Sequence, residues 1–164
     1  MKRLYLISGT MGVGKTTISK LLMQKLPESV FLDGDWCWDS NPFTVTEETK
    51  AMVMDNICHI LNNFIRCSAY SSIIFCWVMH QQEIIDDILS KVDINDVQVI
   101  SVSLLASENS LKNRLTADIQ AGLRTPDIIE RSTERLPLYE SLNTIKIDTT
   151  NMTPDATADA VAAL

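Results

Sequence analysis

Gly9-Thr10-Met11-Gly12-Val13-Gly14-Lys15-Thr16 is the stretch that decides how this chain folds. It matches Gly-x-x-x-x-Gly-Lys-Thr in full, the Walker A pattern of a phosphate-binding loop. The residue types follow from what a phosphate needs. Glycines reach backbone conformations that a Cβ would block, so successive N–H groups can turn inward on phosphate oxygens. A helix starting near Lys15 adds the positive end of its dipole, about half a unit charge. Lys15 is placed to reach the β- and γ-phosphates, and the Thr16 hydroxyl to ligate Mg²⁺. Residues Gly9 to Thr17 are therefore the expected nucleotide-binding segment. A Gly-rich turn arising by chance need not lie between a strand and a helix, and this one does.

Working outward, Lys2–Ser8 is an apolar run ending in glycine, which reads as a buried strand. Thr16–Leu26 carries Ile18, Leu21, Leu22 and Leu26 at helical spacing, and Pro27 stops it. Val30–Leu32 is a second strand, closed by Asp33-Gly34-Asp35. Thr44 and Glu47 suit a capping box for a long helix reaching about Arg66. Its stripe of Val53, Met54, Ile57, Leu61 and Phe64 is a core face. Ser72–Val78 is a third strand without charge, hence central in the sheet. Gln81–Leu89 is a short helix and Val97–Leu104 a fourth strand. Ser107 caps a helix to about Leu115. Thr116–Pro126 has no clear period, Asp127 starts a helix that Pro137 interrupts, and Thr144–Ile147 is a fifth strand. Thr153-Pro154 opens a last helix. This alternation predicts one α/β domain over residues 1–164, a parallel sheet with helices on both faces, and binding at the carboxyl ends of the strands.

Composition narrows the partners. A net charge of −7 argues against a nucleic-acid backbone as the main ligand, which needs clustered Lys and Arg. No apolar run approaches the roughly 18 residues of a membrane span, and Leu4–Ile7 is too short for a signal-peptide core. A cytoplasmic location is expected. Cys37, Cys58, Cys67 and Cys76, with His59 and His80, lack the spacing of a zinc site and read as reduced thiols. The oligomeric state is not legible.

The third strand has no Walker B acid. Asp33-Gly34-Asp35, at the end of the second strand, is the replacement on the same sheet edge. Asp33 is expected to hold Mg²⁺ through water, and Asp35 to accept the proton of an attacking hydroxyl. The competing account is a solvated turn, since Asp and Gly favour turns.

Here the sequence resembles the small-molecule branch of the P-loop kinases, which includes shikimate, gluconate and adenylylsulfate kinases and the chloramphenicol phosphotransferase. Leu32-Asp33-Gly34-Asp35 looks like the Leu-Asp-Gly-Asp of gluconate and adenylylsulfate kinases. Arg135-Leu136-Pro137-Leu138-Tyr139-Glu140 is similar to the Arg-x-Pro-Leu-Tyr-Glu of shikimate kinases. The resemblance implies a P-loop NTPase fold with strand order 2-3-1-4-5 and a lid between about Thr116 and Pro126. It also implies ATP and Mg²⁺ as cofactors, Arg114 over the adenine, Arg124 as the lid arginine and Arg135 toward the substrate. There are departures. Val78-Met79-His80 stands where shikimate kinases carry Gly-Gly-Gly, which argues against shikimate as acceptor. Trp36-Cys37-Trp38 replaces the histidine-containing segment of gluconate kinases.

The expected acceptor pocket therefore holds Asp35, Trp36, Trp38, His80 and Arg135, with Trp77 either there or in the core. Between Asp33 and Arg66 six acids face only Lys50 and Arg66. A monophosphate dianion would need several forked donors there, so a neutral or cationic ring-bearing hydroxyl compound is expected. The alternatives are a nucleoside monophosphate kinase and a non-catalytic ATP-binding module reporting to a partner protein. Phosphate loop, paired carboxylates and arginines together serve chemistry rather than binding alone.

Overall fold

The computed structural model describes residues 1–164. Five strands, β1 (Lys2–Ser8), β2 (Ser29–Asp33), β3 (Ser72–Cys76), β4 (Val97–Leu105) and β5 (Ile145–Asp148), form one sheet of order β2-β3-β1-β4-β5. All neighbours are parallel. The helices are α1 (Lys15–Lys25), α2 (Glu47–Arg66), α3 (Gln82–Lys91), α4 (Glu108–Gln120), α5 (Ile128–Arg135) and α6 (Pro154–Ala162). Fold class and strand order are as the sequence implied.

The central strand shows why. Leu4, Tyr5, Leu6 and Ile7 are all buried, so β1 alternates its side chains between two filled layers instead of one layer and water. Leu4 and Leu6 join Leu32, Ile73 and Phe75 under α2 and α3, where Val53, Ile57, Leu61, Ile85 and Ile88 close the layer. Tyr5 and Ile7 join Phe31, Ile74 and Cys76 under α1 and α6, closed by Ile18, Leu22, Ala158 and Val161. Each such aliphatic side chain stabilises by about 1.5–3 kcal/mol relative to exposure.

Three local expectations change. The cap of α2 is Thr46, whose hydroxyl accepts from the Thr49 N–H while Thr49 answers with its own hydroxyl, not the pair Thr44 and Glu47. β3 ends at Cys76, and Trp77 to His80 form a bend in which Met79 has φ +26°. The left-handed region is costly for a side chain, and Met79 keeps it while fully buried in the core. Finally, α4 runs to Gln120, so the first residues of the expected lid are helical and only a short connection remains before α5. Leu111 and Leu115 at helical spacing are buried under α5 and draw the helix through Thr116 despite its weak period.

All four cysteines are free. Burial raises the Cys58 thiol to about 11 and Cys76 to about 12. At pH 8 the thiolate is then about one part in a thousand or less, and neither sulfur reacts readily. Alkylation followed by mass spectrometry is expected to leave Cys58 and Cys76 unlabelled until denaturant is added. Rapid labelling of either in folded protein would contradict this packing.

Candidate active site

β1 ends at Ser8 and α1 begins at Lys15, and the phosphate loop fills the gap. No side chain caps α1, so its first N–H groups are left for a ligand. Gly14 at the helix entry has φ +106°, and Gly12 has φ +82°. Gly12 is also crowded: a Cβ there would lie 2.4 Å from Leu115 Cδ2. Lys15 donates to the Thr10 carbonyl at 3.0 Å. Burial pulls its pKa down, against the opposing pull of Asp35 and Asp33.

Thr10 is fully buried and its hydroxyl pairs with the Ser132 hydroxyl at 2.9 Å and donates to the Ser132 carbonyl at 2.8 Å. Ser132 Oγ in turn donates to the Met11 carbonyl. α5 therefore clasps the phosphate loop. Sequence reading missed Ser132, because a serine inside a helix carries no signal of what it faces.

The two carboxylates have different surroundings. Asp33, 5% exposed, accepts from the Thr16 hydroxyl at 2.6 Å and from the Asp35 N–H at 3.1 Å. β2 sets it beside Cys76 at the end of β3. Oxygen donors on Thr16 and Asp33 facing one another suit a hard cation such as Mg²⁺. Asp35 follows in a 3₁₀ turn, Gly34–Cys37, that Asp33 caps. Burial and the negative charge of Asp33 push the Asp35 carboxyl upward, while Lys15, Trp77 and Arg124 favour its charge.

The arginines separate by their partners. Arg114 binds the Val13 carbonyl at 3.2 Å and the Thr149 carbonyl at 2.9 Å, bracing the back of the phosphate loop. Arg124 pairs with Asp118 at 3.1 Å, yet its charge reaches Lys15 and Asp35. Arg135 lies against the Met11 sulfur and beside His80, whose pKa falls through burial and that charge. His80 Nδ1 is buried without a partner. Tyr139, fully buried, donates to the Val78 carbonyl and holds the bend before His80. Arg131 pairs with Asp127 in solvent.

The tryptophans do not form the single cluster that their spacing suggested. Trp38 packs on Phe43 with ring centroids 4.9 Å apart. Trp36 packs edge-on to Phe31 at 5.2 Å, and lines a groove of about 740 Å³ beside α2 with His59 and Phe64. Trp77 packs on Gly34.

Residues 6–134, from β1 through the phosphate loop to α5, match the AAA domain family. The chain belongs to that family. No curated protein matches this AAA domain in sequence. Among solved structures it is similar to the Deinococcus radiodurans tunicamycin resistance protein, with TM-score 0.77, 20% identity, and 99% of this chain and 95% of that one covered. A gluconokinase from Sinorhizobium meliloti 1021 gives TM-score 0.67 and 17% identity over 97% and 90% of the two chains. Shikimate kinase from Acinetobacter baumannii, in complex with shikimate, gives 0.62 and 19% over 98% and 90%. The AAA domain thus has the fold of the small-molecule P-loop kinases.

Ser132→Ala would leave the buried Thr10 hydroxyl with only the residue-132 carbonyl and remove the donor to Met11. A loss of about 1–3 kcal/mol in stability is expected, together with weaker nucleotide binding, checked by thermal melts with and without ATP. Unchanged melting in both conditions would contradict the clasp.

Proposed function

We propose that this protein is an ATP- and Mg²⁺-dependent phosphotransferase that moves the γ-phosphoryl group to a hydroxyl of a small, uncharged acceptor. The observation that carries the reading is the split pair of carboxylates beside the phosphate loop: Asp33 tied to Thr16, Asp35 held at a raised pKa within reach of Lys15's charge. A turn of solvated acids would not divide in this way.

The N–H groups at the start of α1, which no side chain caps, would hold the ATP phosphates, with Lys15 toward the β- and γ-oxygens. Thr16 and, through water, Asp33 would hold Mg²⁺, which would supply charge neutralisation at the phosphates. Asp35 accepts the proton of the acceptor hydroxyl as its oxygen bonds to the γ-phosphorus. The bond from that phosphorus to the β–γ bridging oxygen breaks, and ADP leaves. A raised pKa suits this work, since a base acts best with a pKa nearer the operating pH. Arg124, on the connection that acts as lid, neutralises charge on the transferring group, and such an arginine is worth about 10³–10⁵ in rate. Arg114 borders the adenine.

Asp35, Trp38, His80 and Arg135 face the acceptor, with Trp36 at the rim. Arg131 and Lys112 are spent on Asp127 and Glu108, whereas Arg135 has no carboxylate partner. Neutral His80, with an unpartnered nitrogen, suits a hydroxyl or amide better than a phosphate. The similarity to a tunicamycin resistance protein supports including antibiotics among the candidates.

The direct test is a mass-spectrometric screen of purified protein with ATP, Mg²⁺ and a panel of nucleosides, sugars, sugar acids and antibiotics, tunicamycin included. An uncharged hydroxyl compound is expected to be turned over best. A nucleoside monophosphate exceeding every uncharged compound in kcat/KM would overturn the acceptor class. Lys15→Ala is expected to abolish turnover while retaining the fold, and undiminished transfer by it would refute the phosphotransferase reading. Asp35→Asn should lower kcat with ATP affinity kept, whereas Asp33→Asn should raise the Mg²⁺ requirement. Superimposable Mg²⁺ titrations for the two variants would remove the division of roles.

A further inference from the structure

Asp35 and Trp36 are consecutive in the 3₁₀ turn Gly34–Cys37, and their surroundings differ. Trp36 folds over the outer edge of β2 and packs on Phe31, with ring centroids 5.2 Å apart. It nonetheless stays 57% exposed, and it walls the groove of about 740 Å³ beside α2. His59 and Phe64 supply the wall on the α2 side. Both walls are held from outside. The Phe64 ring packs edge-on to Tyr70 at 6.0 Å, and Asn56 of α2 donates to the Cys37 carbonyl at 3.4 Å, tying helix to turn.

Phe31 and Leu32 line the floor, on a strand with no neighbour along its outer side. The Ser72 N–H donates to the Glu28 carbonyl, and the alternation of a parallel pair then turns the N–H and C=O of Phe31 away from β3. The groove thus offers one outward backbone donor and acceptor, not the row that an added strand would pair with. Its lining holds a single acid, Asp55, and no Lys or Arg. A volume of this order suits a drug-sized group. A bare sugar at Asp35 would leave the indole in water. We propose that the groove is the outer half of the acceptor site: it takes a ring-bearing arm with a hydrogen-bond donor, best an ammonium, while the acceptor's hydroxyl sits at Asp35. The acceptor is then an elongated molecule that lies across the turn. This deepens the phosphotransferase reading and rests on it for the hydroxyl end, whereas the groove stands on its own geometry.

The test has an arm that needs no turnover. The chain has three tryptophans, hence three indole N–H signals in a ¹⁵N-correlated NMR spectrum. Trp36→Phe removes one and identifies it. Phenethylamine is expected to move that signal, phenylacetate to leave it in place, and Asp55→Asn, a change at an exposed side chain, to weaken the response to phenethylamine. A Trp36 signal unmoved by phenethylamine, or moved equally by phenylacetate, would overturn the proposal. With an acceptor in hand, Trp36→Ala and His59→Ala are each expected to raise its KM about tenfold, with kcat and the KM for ATP within about twofold. An acceptor KM unchanged in both variants, beside normal turnover, would overturn the arm and leave the phosphotransferase reading standing. A moved signal without turnover of any acceptor would support the groove as a ligand site and sink that reading. A dimer in solution that Trp36→Ala dissociates would assign the groove to a second copy of the chain and overturn the proposal.

Discussion

A phosphate loop can keep its amide groups turned inward only if every other side of it is filled, and the rest of this molecule is arranged around that constraint. Leu115 of α4 lies where a side chain on Gly12 would be, and Val13 packs beneath Gly9 against the end of β4. Ser132 of α5 holds Thr10 and the Met11 carbonyl, and Arg114 holds the Val13 carbonyl. Four successive residues of the loop are thus fixed from outside by groups contributed from β4, α4 and α5. With its outer face held by protein, the loop has less ordering left to lose when a ligand arrives.

The second consequence is electrostatic. Placing Thr16 at the start of α1 and Asp33 at the end of β2 brings a hydroxyl and a carboxylate together at the sheet's carboxyl edge. Beside that contact, burial and the neighbouring carboxylate of Asp33 push the Asp35 carboxyl upward. One carboxylate is held by a hydroxyl and a backbone N–H and the other is made more willing to take a proton, from residues two apart in sequence.

Much of this was legible beforehand, for identifiable reasons. Continuous apolar runs such as Leu4–Ile7 and Ile73–Cys76 mark strands buried on both faces, and the Walker A glycines mark a turn that only one geometry satisfies. The carboxylates could be located because a strand end fixes which sheet edge they occupy. What stayed hidden depended on partners distant in the chain. Ser132 meets Thr10 across more than a hundred residues, and Tyr139 meets Val78 across sixty-one. The tryptophans misled because nearness in sequence says nothing about direction: Trp36, in the 3₁₀ turn, and Trp38, just beyond it, point to different aromatic neighbours. The end of α4 was misplaced because its apolar stripe is short and its partner, α5, is what makes that stripe a core.

That small third core has its own consequence. Only Leu111, Leu115 and Ile128 are buried in it, with Met11 of the phosphate loop packed at its edge. A cluster so small cannot hold α4 and α5 in place by itself, so the arm borrows part of its cohesion from the loop it covers. The dependence is reciprocal. Whatever orders the loop lowers the population of locally unfolded arm, and whatever loosens the arm is felt as lost affinity at the loop. A leucine with no polar group to offer a phosphate thus becomes part of the binding equilibrium, and damage to it reads as a ligand defect in a protein whose main cores are intact.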